Sequence, residues 1–228
     1  MSNGPGIKRM KKHILCFGDS NTHGYCAEPG DCADGGNRFN ESERWTCLLQ
    51  ERLGPEYLVL EEGLSGRTTV FNDPFHAGLS GVDAIEGVLL THEPVDLLIV
   101  MLGTNDTKER FSANAACIGI GLERLLIKAR SVPCWQGGQP RILVISPPHI
   151  GEGLYAIPEG EPMGAGCPEK SRQLAKYFSA AAERQGCAFL DAEGVAEFNT
   201  LDCMHLTRKG HRQLADALAP LIPALLRK

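Results

Sequence analysis

The sequence has no long hydrophobic run, and this absence argues against a membrane-spanning protein. The longest apolar stretch is LLIVML at 97–102, far short of the roughly 20 residues that a transmembrane helix needs. A basic cluster, KRMKK at 8–12, is followed only by the apolar string ILCF, which is too short for the core of a secretory signal. We therefore expect no membrane partner.

An excess of basic residues is also missing. The chain has 23 Lys and Arg against 28 Asp and Glu, so its formal net charge is −5. Proteins that bind nucleic acids contact phosphates through basic patches, so we expect no nucleic-acid partner. A small organic substrate fits this composition better.

Paired cysteines and cofactor motifs are absent as well. The nine cysteines are an odd number with irregular spacing and no C-x-x-C, which argues against a zinc ribbon and a complete disulfide framework. Reduced thiols favour a cytoplasmic location. No H-E-x-x-H, no P-loop and no G-x-G-x-x-G after the first apolar segment occurs, so we expect neither a metal nor another cofactor.

Five apolar segments alternate with helical patterns. The predicted strands are HILCF at 13–17, YLVLE at 57–61, VDLLIVML at 95–102, RILVIS at 141–146 and CAFLD at 187–191. Their nearly continuous apolar character is typical of parallel strands covered on both faces. Helices are predicted near 44–54, 83–90, 113–129, 168–185 and from 207 onward. The alternation predicts a three-layer α/β/α domain, with residues 1–10 as a flexible leader and 11–228 as a single domain.

The loops that leave the strands are much longer than the loops that lead back into them. Long loops follow the first, second and fourth predicted strands, whereas GPE at 54–56 and HEP at 92–94 return to the sheet directly. Open parallel sheets bind ligands beyond the carboxyl ends of their strands. We expect the substrate pocket at this edge.

Residues with the chemistry of a serine hydrolase follow these strand ends. Ser20 lies in GDS at 18–20, and Asp202 and His205 lie in DCMH at 202–205. A serine becomes a nucleophile when a neutral imidazole accepts its proton and a carboxylate orients that imidazole. We predict a Ser20, His205, Asp202 triad and favour Asp202 over the alternative acid Asp191, because a short loop places Asp202 beside the ring.

Ester hydrolysis also requires donors for the oxyanion. The predicted donors are the backbone N–H of Ser20, the backbone N–H of Gly63 and the carboxamide of Asn105, which lies in GTND at 103–106. An ionised Asp at position 105 would be unable to donate. Each fixed donor typically contributes a factor of roughly 10² to 10³ to the rate.

The four blocks together resemble those of the SGNH hydrolases, also called GDSL esterases. Ser20, Gly63, Asn105 and His205 stand in the family's order. The strings ILCFGDSNTHG, RWTCLLQERLG, EEGLSGRTT and IVMLGTNDTK are similar to the bacterial arylesterases and acyltransferases of short acyl esters. The resemblance implies a Ser-His-Asp esterase, a flavodoxin-like sheet of order 2-1-3-4-5, and homo-oligomers whose neighbouring subunits wall the pocket.

The sequence departs from this pattern beyond the nucleophile. Asn21 stands where leucine is usual in the family, and His23 and Tyr25 make the wall beyond the nucleophile more polar than the apolar or aromatic residues expected from the arylesterase subgroup. We expect these three residues to contact the substrate and to change its preference. Loops closing over a small site favour acetyl over long acyl chains.

Other functions compete with ester hydrolysis. Acyl transfer to an alcohol or a peroxide uses the same site when water is scarce. A flavodoxin-like fold also hosts nucleotide- and flavin-binding modules without hydrolase activity, because fold alone does not decide function. A non-catalytic relic fits poorly with a complete set of catalytic residue types.

Overall fold

The computed structural model describes residues 10–227 and contains one five-stranded sheet. The strands are β1 (Lys12–Gly18), β2 (Tyr57–Gly63), β3 (Leu97–Met101), β4 (Ile142–Ser146) and β5 (Ala188–Asp191). All neighbouring strands pair in parallel, in the order β2-β1-β3-β4-β5. The predicted order is confirmed, and each strand lies within about two residues of its predicted bounds.

In the described part of the chain, six α-helices connect and cover the strands. They are α1 (Ser20–His23), α2 (Trp45–Leu53), α3 (Gly81–Thr91), α4 (Ala115–Ser131), α5 (Cys167–Arg184) and α6 (Arg208–Leu225). The five longer helices match the predicted ones. The short α1 lies in a segment that was predicted as loop.

Two hydrophobic cores lie on opposite faces of the sheet. Leu15 and Phe17 of β1 pack in the core formed with α3, α4 and α5. Ile14 and Cys16, the alternate residues of the same strand, pack in the core formed with α2 and α6. Side chains point to opposite faces along a strand, so a central strand covered on both faces is apolar throughout. This arrangement confirms the three-layer α/β/α architecture.

Side-chain caps determine where two of the helices begin. The Asn114 carboxamide oxygen accepts a hydrogen bond from Cys117 N at 2.9 Å, and the Thr207 hydroxyl accepts one from Gly210 N at 3.0 Å. Such caps satisfy backbone N–H groups that lack a partner within the helix. The predicted cap at Thr207 is present, whereas α4 begins two residues later than predicted because Asn114 caps it.

The loops that follow β1, β2 and β4 lie at one edge of the sheet. The parallel register brings Gly18 beside Gly63 on one side and beside Met101 on the other. The predicted leader lies outside the described residues, apart from the exposed Met10. Within residues 10–227, no helix is both long enough and apolar enough to cross a membrane.

Candidate active site

Ser20 lies at the start of α1, immediately beyond the end of β1. The Asp19 carboxylate accepts a hydrogen bond from Asn21 N at 3.0 Å and so caps the helix. Gly18 allows the tight turn, because a Cβ at this position would lie only 2.7 Å from the Met101 carbonyl oxygen and would also overlap Thr22. The turn directs Ser20 toward the carboxyl edge of the sheet.

Ser20, His205 and Asp202 form a continuous hydrogen-bonded chain. His205 Nε2 is 2.8 Å from Ser20 Oγ, and His205 Nδ1 is 2.5 Å from Asp202 Oδ2. The other carboxylate oxygen, Oδ1, accepts hydrogen bonds from the backbone N–H groups of Met204 and His205, both at 3.1 Å. A ring held in this way can accept the serine proton at Nε2.

Asp202 is kept ionised by its surroundings although it is buried. Burial raises the pKa of Asp202, but the hydrogen bond and the charge of His205, together with the backbone N–H groups of Met204 and His205, lower it further than burial raises it. Its pKa is therefore below the ordinary value. The alternative acid, Asp191, accepts a hydrogen bond from Glu193 N at 3.1 Å and lies at the end of β5.

A cavity of about 350 Å³ opens over this chain. Its walls include Ser20, Asn105, Asp202, His205, Gly66 and Tyr25. Larger clefts of about 480 Å³ beside the start of α4 and about 410 Å³ at the opposite edge of the sheet contain none of the triad residues. The smaller cavity is therefore the candidate substrate pocket.

Asn105 and two backbone amides supply hydrogen-bond donors to this cavity. Asn105 is buried just beyond β3, and its side-chain Nδ2 donates to the Arg67 carbonyl at 3.2 Å. One of its two amide hydrogens remains available, since an amide has two donors. The N–H groups of Ser20 and Gly66 have no intramolecular acceptor among the described residues. All three residues line the pocket.

Gly63, the other predicted oxyanion donor, lies outside the pocket lining. It is the last residue of β2, and a Cβ at this position would overlap the backbone of Thr22 and His23. Glycine at 63 therefore permits the close approach of α1 to the sheet. The next loop reaches the pocket at Gly66, where Arg67 secures it by donating to the Gly18 carbonyl at 3.0 Å. The sequence signal that could have indicated this donor is the second glycine of EEGLSGRTT, which is Gly66.

The three predicted substrate contacts occupy different environments. Tyr25 lines the pocket, and its ring centroid is 4.6 Å from that of His205. Asn21 is 1% exposed, and its carboxamide bonds the main chain beside His205. His23 is half-buried against Gly63 and Arg38, and its pKa is lowered mainly by burial. Of the three, only Tyr25 is brought to the pocket wall.

Two buried carboxyl groups lie behind the nucleophile. Burial raises the pKa of Asp19 and that of Asp106 to about 6 each, and their mutual repulsion adds to the effect on Asp106. Asp106 Oδ1 accepts a hydrogen bond from Thr69 N at 2.9 Å, which joins the GTND segment to the loop after β2. Within residues 10–227, no group of three or more His, Cys, Asp and Glu side chains is arranged to hold a metal ion.

The comparisons with known proteins identify the family of this chain. The GDSL-like lipase/acylhydrolase family matches residues 16–213, which is most of the chain. The chain belongs to this family. No curated protein matches the chain at a significant level.

Solved structures place this family member among ester hydrolases. An aryl esterase from M. smegmatis is 36% identical, with a TM-score of 0.84, over 94% of this chain and 99% of that one. A carbohydrate acetylesterase from Sinorhizobium meliloti is 33% identical, with a TM-score of 0.84, over 94% of this chain and 100% of that one. The SGNH resemblance is confirmed, and the protein is a carboxylic ester hydrolase. The nucleotide- or flavin-binding alternative is set aside.

Proposed function

We propose that this protein is a serine esterase that cleaves short-chain acyl esters through an acyl-enzyme. In this proposal Ser20 is the nucleophile, His205 is the general base and acid, and Asp202 orients the ring. The observation that carries it is the pair of contacts on one imidazole, 2.8 Å to Ser20 Oγ and 2.5 Å to Asp202 Oδ2. A serine is activated when a histidine within hydrogen-bond distance accepts its proton and a carboxylate orients that histidine.

Each half of the reaction uses the same imidazole. Ser20 Oγ attacks the ester carbonyl carbon while its proton passes to His205 Nε2, and the resulting imidazolium protonates the leaving alcohol as the C–O bond breaks. A water molecule then attacks the acyl-enzyme, and its proton passes to His205. When the intermediate collapses, that proton returns to Ser20 Oγ and the carboxylic acid leaves.

The oxyanion donors in this proposal are the N–H groups of Ser20 and Gly66 and the Asn105 carboxamide. Gly66 takes the part that the sequence assigned to Gly63, because Gly66 lines the pocket with Ser20 and Asn105. Donors held in place before the reaction stabilise the developing charge without reorganisation. Glycine at 66 also suits a backbone with φ of 87°.

The acyl group is proposed to be short, with acetyl preferred. The supporting observation is the modest cavity of about 350 Å³, whose wall includes Pro162 and Met163 from the loop after β4. The similar solved structures include an aryl esterase and a carbohydrate acetylesterase. The acetylesterase is named for the removal of acetyl groups.

Covalent labelling provides the direct test. A fluorophosphonate should modify one residue, and peptide mapping should find the label on Ser20, which is bonded to His205, and not on Ser65, which lines the same cavity and has no hydrogen bond to a histidine among residues 10–227. Ser20→Ala should lose both labelling and turnover, with a loss of about 10⁴-fold or more, while its circular dichroism spectrum stays that of the parent. Labelling at another serine would contradict the proposal.

Acyl transfer to an alcohol or peroxide is proposed as a side activity of the same site. Met163, Met204 and Pro162 make part of the pocket wall apolar, which disfavours water relative to an organic acceptor. The ratio of transfer product to free acid should rise when an alcohol is added. A ratio that stays at zero across alcohol concentrations would remove this activity.

Assembly and location also remain proposals. The apolar side chains of Ile120 and Ile127 are exposed on α4, which supports the predicted homo-oligomer, and light scattering should give a mass above 24.7 kDa.

All nine cysteines lie within the described residues and are unpaired. This supports a reducing, cytoplasmic environment, which fractionation of the source cells would test.

A further inference from the structure

The wall of the candidate pocket carries a cation that has no partner within the described part of the chain. Lys108 lines the cavity that contains Ser20 and Asn105, and it lies three residues beyond Asn105 on the same segment. No hydrogen bond or ion pair to its ammonium group occurs among residues 10–227. We propose that Lys108 binds an anionic group on the alcohol half of the substrate, so that the preferred substrates are short acyl esters of hydroxy acids, acidic sugars included.

Partial burial makes this ammonium group a stronger anion ligand than a surface lysine. Burial lowers the pKa of Lys108, and the nearby Arg110 lowers it further, while Asp73, Asp19 and Asp106 act in the opposite direction. A charge that has lost part of its water shell without gaining a partner interacts strongly with an incoming counter-ion. An anion should therefore interact more strongly with Lys108 in the cavity than with a fully solvated lysine.

The other basic side chains of the pocket have an acidic neighbour. Arg110 pairs with the buried carboxylate of Asp73 at 3.4 Å, donates to the Pro162 carbonyl, and stacks over the Phe75 ring at 5.0 Å. His76, which also lines the cavity, lies 3.9 Å from the same carboxylate. Lys108 is therefore the cation left for the substrate.

The acidic groups of the cavity leave room for an anion beside Lys108. Asp202 is bonded to His205 at 2.5 Å. Glu159 lines the cavity near Tyr25, whose pKa is raised by burial and by the charges of Asp202 and Glu159, and it forms no ion pair with Lys108 among the described residues. The anionic group is expected on the Lys108 side, away from Tyr25.

The molecule as a whole carries a negative formal charge. The formal net charge is −5, so long-range electrostatics disfavours approach of an anionic ester, and a preference for one has to arise locally. The inference rests on the proposed function, in which the acyl group is acetyl-sized. The small acyl group leaves the alcohol half as the carrier of the charge.

The test compares 4-acetoxybenzoate with its methyl ester, which differ in the carboxylate charge on the alcohol half. The measured quantity is the ratio of the two kcat/KM values, compared between proteins so that intrinsic ester reactivity cancels. Lys108→Met should lower the ratio by about tenfold to a hundredfold, the usual size of a charge-assisted hydrogen bond. Lys108→Arg should keep most of it, and Lys176→Met, which removes an exposed charge on α5, should keep all of it.

The outcomes separate this inference from the proposed function. An equal ratio in the parent protein and in Lys108→Met, with both esters hydrolysed, would overturn the anion site and leave the esterase intact. Failure of the parent protein to hydrolyse any ester would overturn both. Inhibition of 4-nitrophenyl acetate hydrolysis by 4-hydroxybenzoate gives a second readout, and it should weaken by a similar factor in Lys108→Met.

Discussion

The side chain of Asn21 bonds the main chain on both sides of His205. Asn21 Nδ2 donates to the Met204 carbonyl at 3.2 Å, and Asn21 Oδ1 accepts from Leu206 N at 2.9 Å. The residue after the proposed nucleophile thus holds the loop that carries the proposed base. A carboxamide suits this place because it has a donor at one end and an acceptor at the other.

Replacing Asn21 with leucine should therefore disturb both stability and turnover. Asn21→Leu leaves Met204 O and Leu206 N without their partner, so the free energy of unfolding should fall by about 2–4 kcal/mol. The distance between His205 and Ser20 should become less well defined, and kcat should fall by about tenfold or more while KM changes little.

The variant Asn21→Asp provides the matched control. Its carboxylate can still accept from Leu206 N but cannot donate to Met204 O when ionised, so urea unfolding and steady-state kinetics should give intermediate losses. A fully active and stable Asn21→Leu would show that the loop holds His205 without this side chain.

Removal of the Asn105 carboxamide should reduce the rate of the chemical step. We expect Asn105→Ala to lower kcat by about 10² to 10³ with a small change in KM, because an oxyanion donor acts on the transition state. Fluorophosphonate labelling of Ser20 in the folded variant separates a slower reaction from a misfolded pocket. A higher KM with an unchanged kcat would instead assign Asn105 to binding of the substrate in its ground state.

Acyl length should control the rate through the size of the cavity. With 4-nitrophenyl esters, kcat/KM for acetate should exceed that for octanoate by about tenfold or more, because a long chain meets the wall formed with Pro162 and Met163. Met163→Ala should narrow the difference by enlarging the cavity. Equal rates for the two esters would contradict the proposed short-chain preference.

The buried Asp106 should make the protein less stable as pH rises. Its pKa is raised from 3.8 to about 6 in the folded protein, so the folded state binds more protons than the unfolded state between these values. The free energy of unfolding contributed by this group therefore falls as pH increases from about 4 to about 6. Asp202 behaves oppositely, since its lowered pKa adds stability above pH 3.8 that is lost as pH falls below that value.

Asp106→Asn should flatten this dependence. Urea unfolding at pH 4.5 and at pH 7 should give a smaller difference in the variant than in the parent protein, while Asp83→Asn on the exposed face of α3 should leave the difference unchanged. In Asp106→Asn the free energy of unfolding should still fall somewhat as pH rises, because Asp19 also has a pKa of about 6. An unchanged slope in Asp106→Asn would show that Asp106 does not titrate in this range.

Much of the fold was predictable from local sequence patterns. Fully buried strands such as LLIVM at 97–101 are apolar at every position because both faces are covered, and Gly54 follows α2 at a φ of 78° that other residues rarely adopt. The strand order came from the family resemblance, since periodicity does not reveal which strands are neighbours. The short α1 was missed because four residues are too few for a helical period.

The sequence by itself determined the sheet and helices, the edge at which the site lies, and the choice of Asp202 beside His205, because burial patterns and short loops are local properties. Only the tertiary structure decided that Gly66 rather than Gly63 lines the pocket, that Asn21 turns toward the His205 loop, and that Lys108 lines the pocket. Loop side chains take their directions from contacts between segments distant in sequence. Asn21 and Leu206, for example, are 185 residues apart.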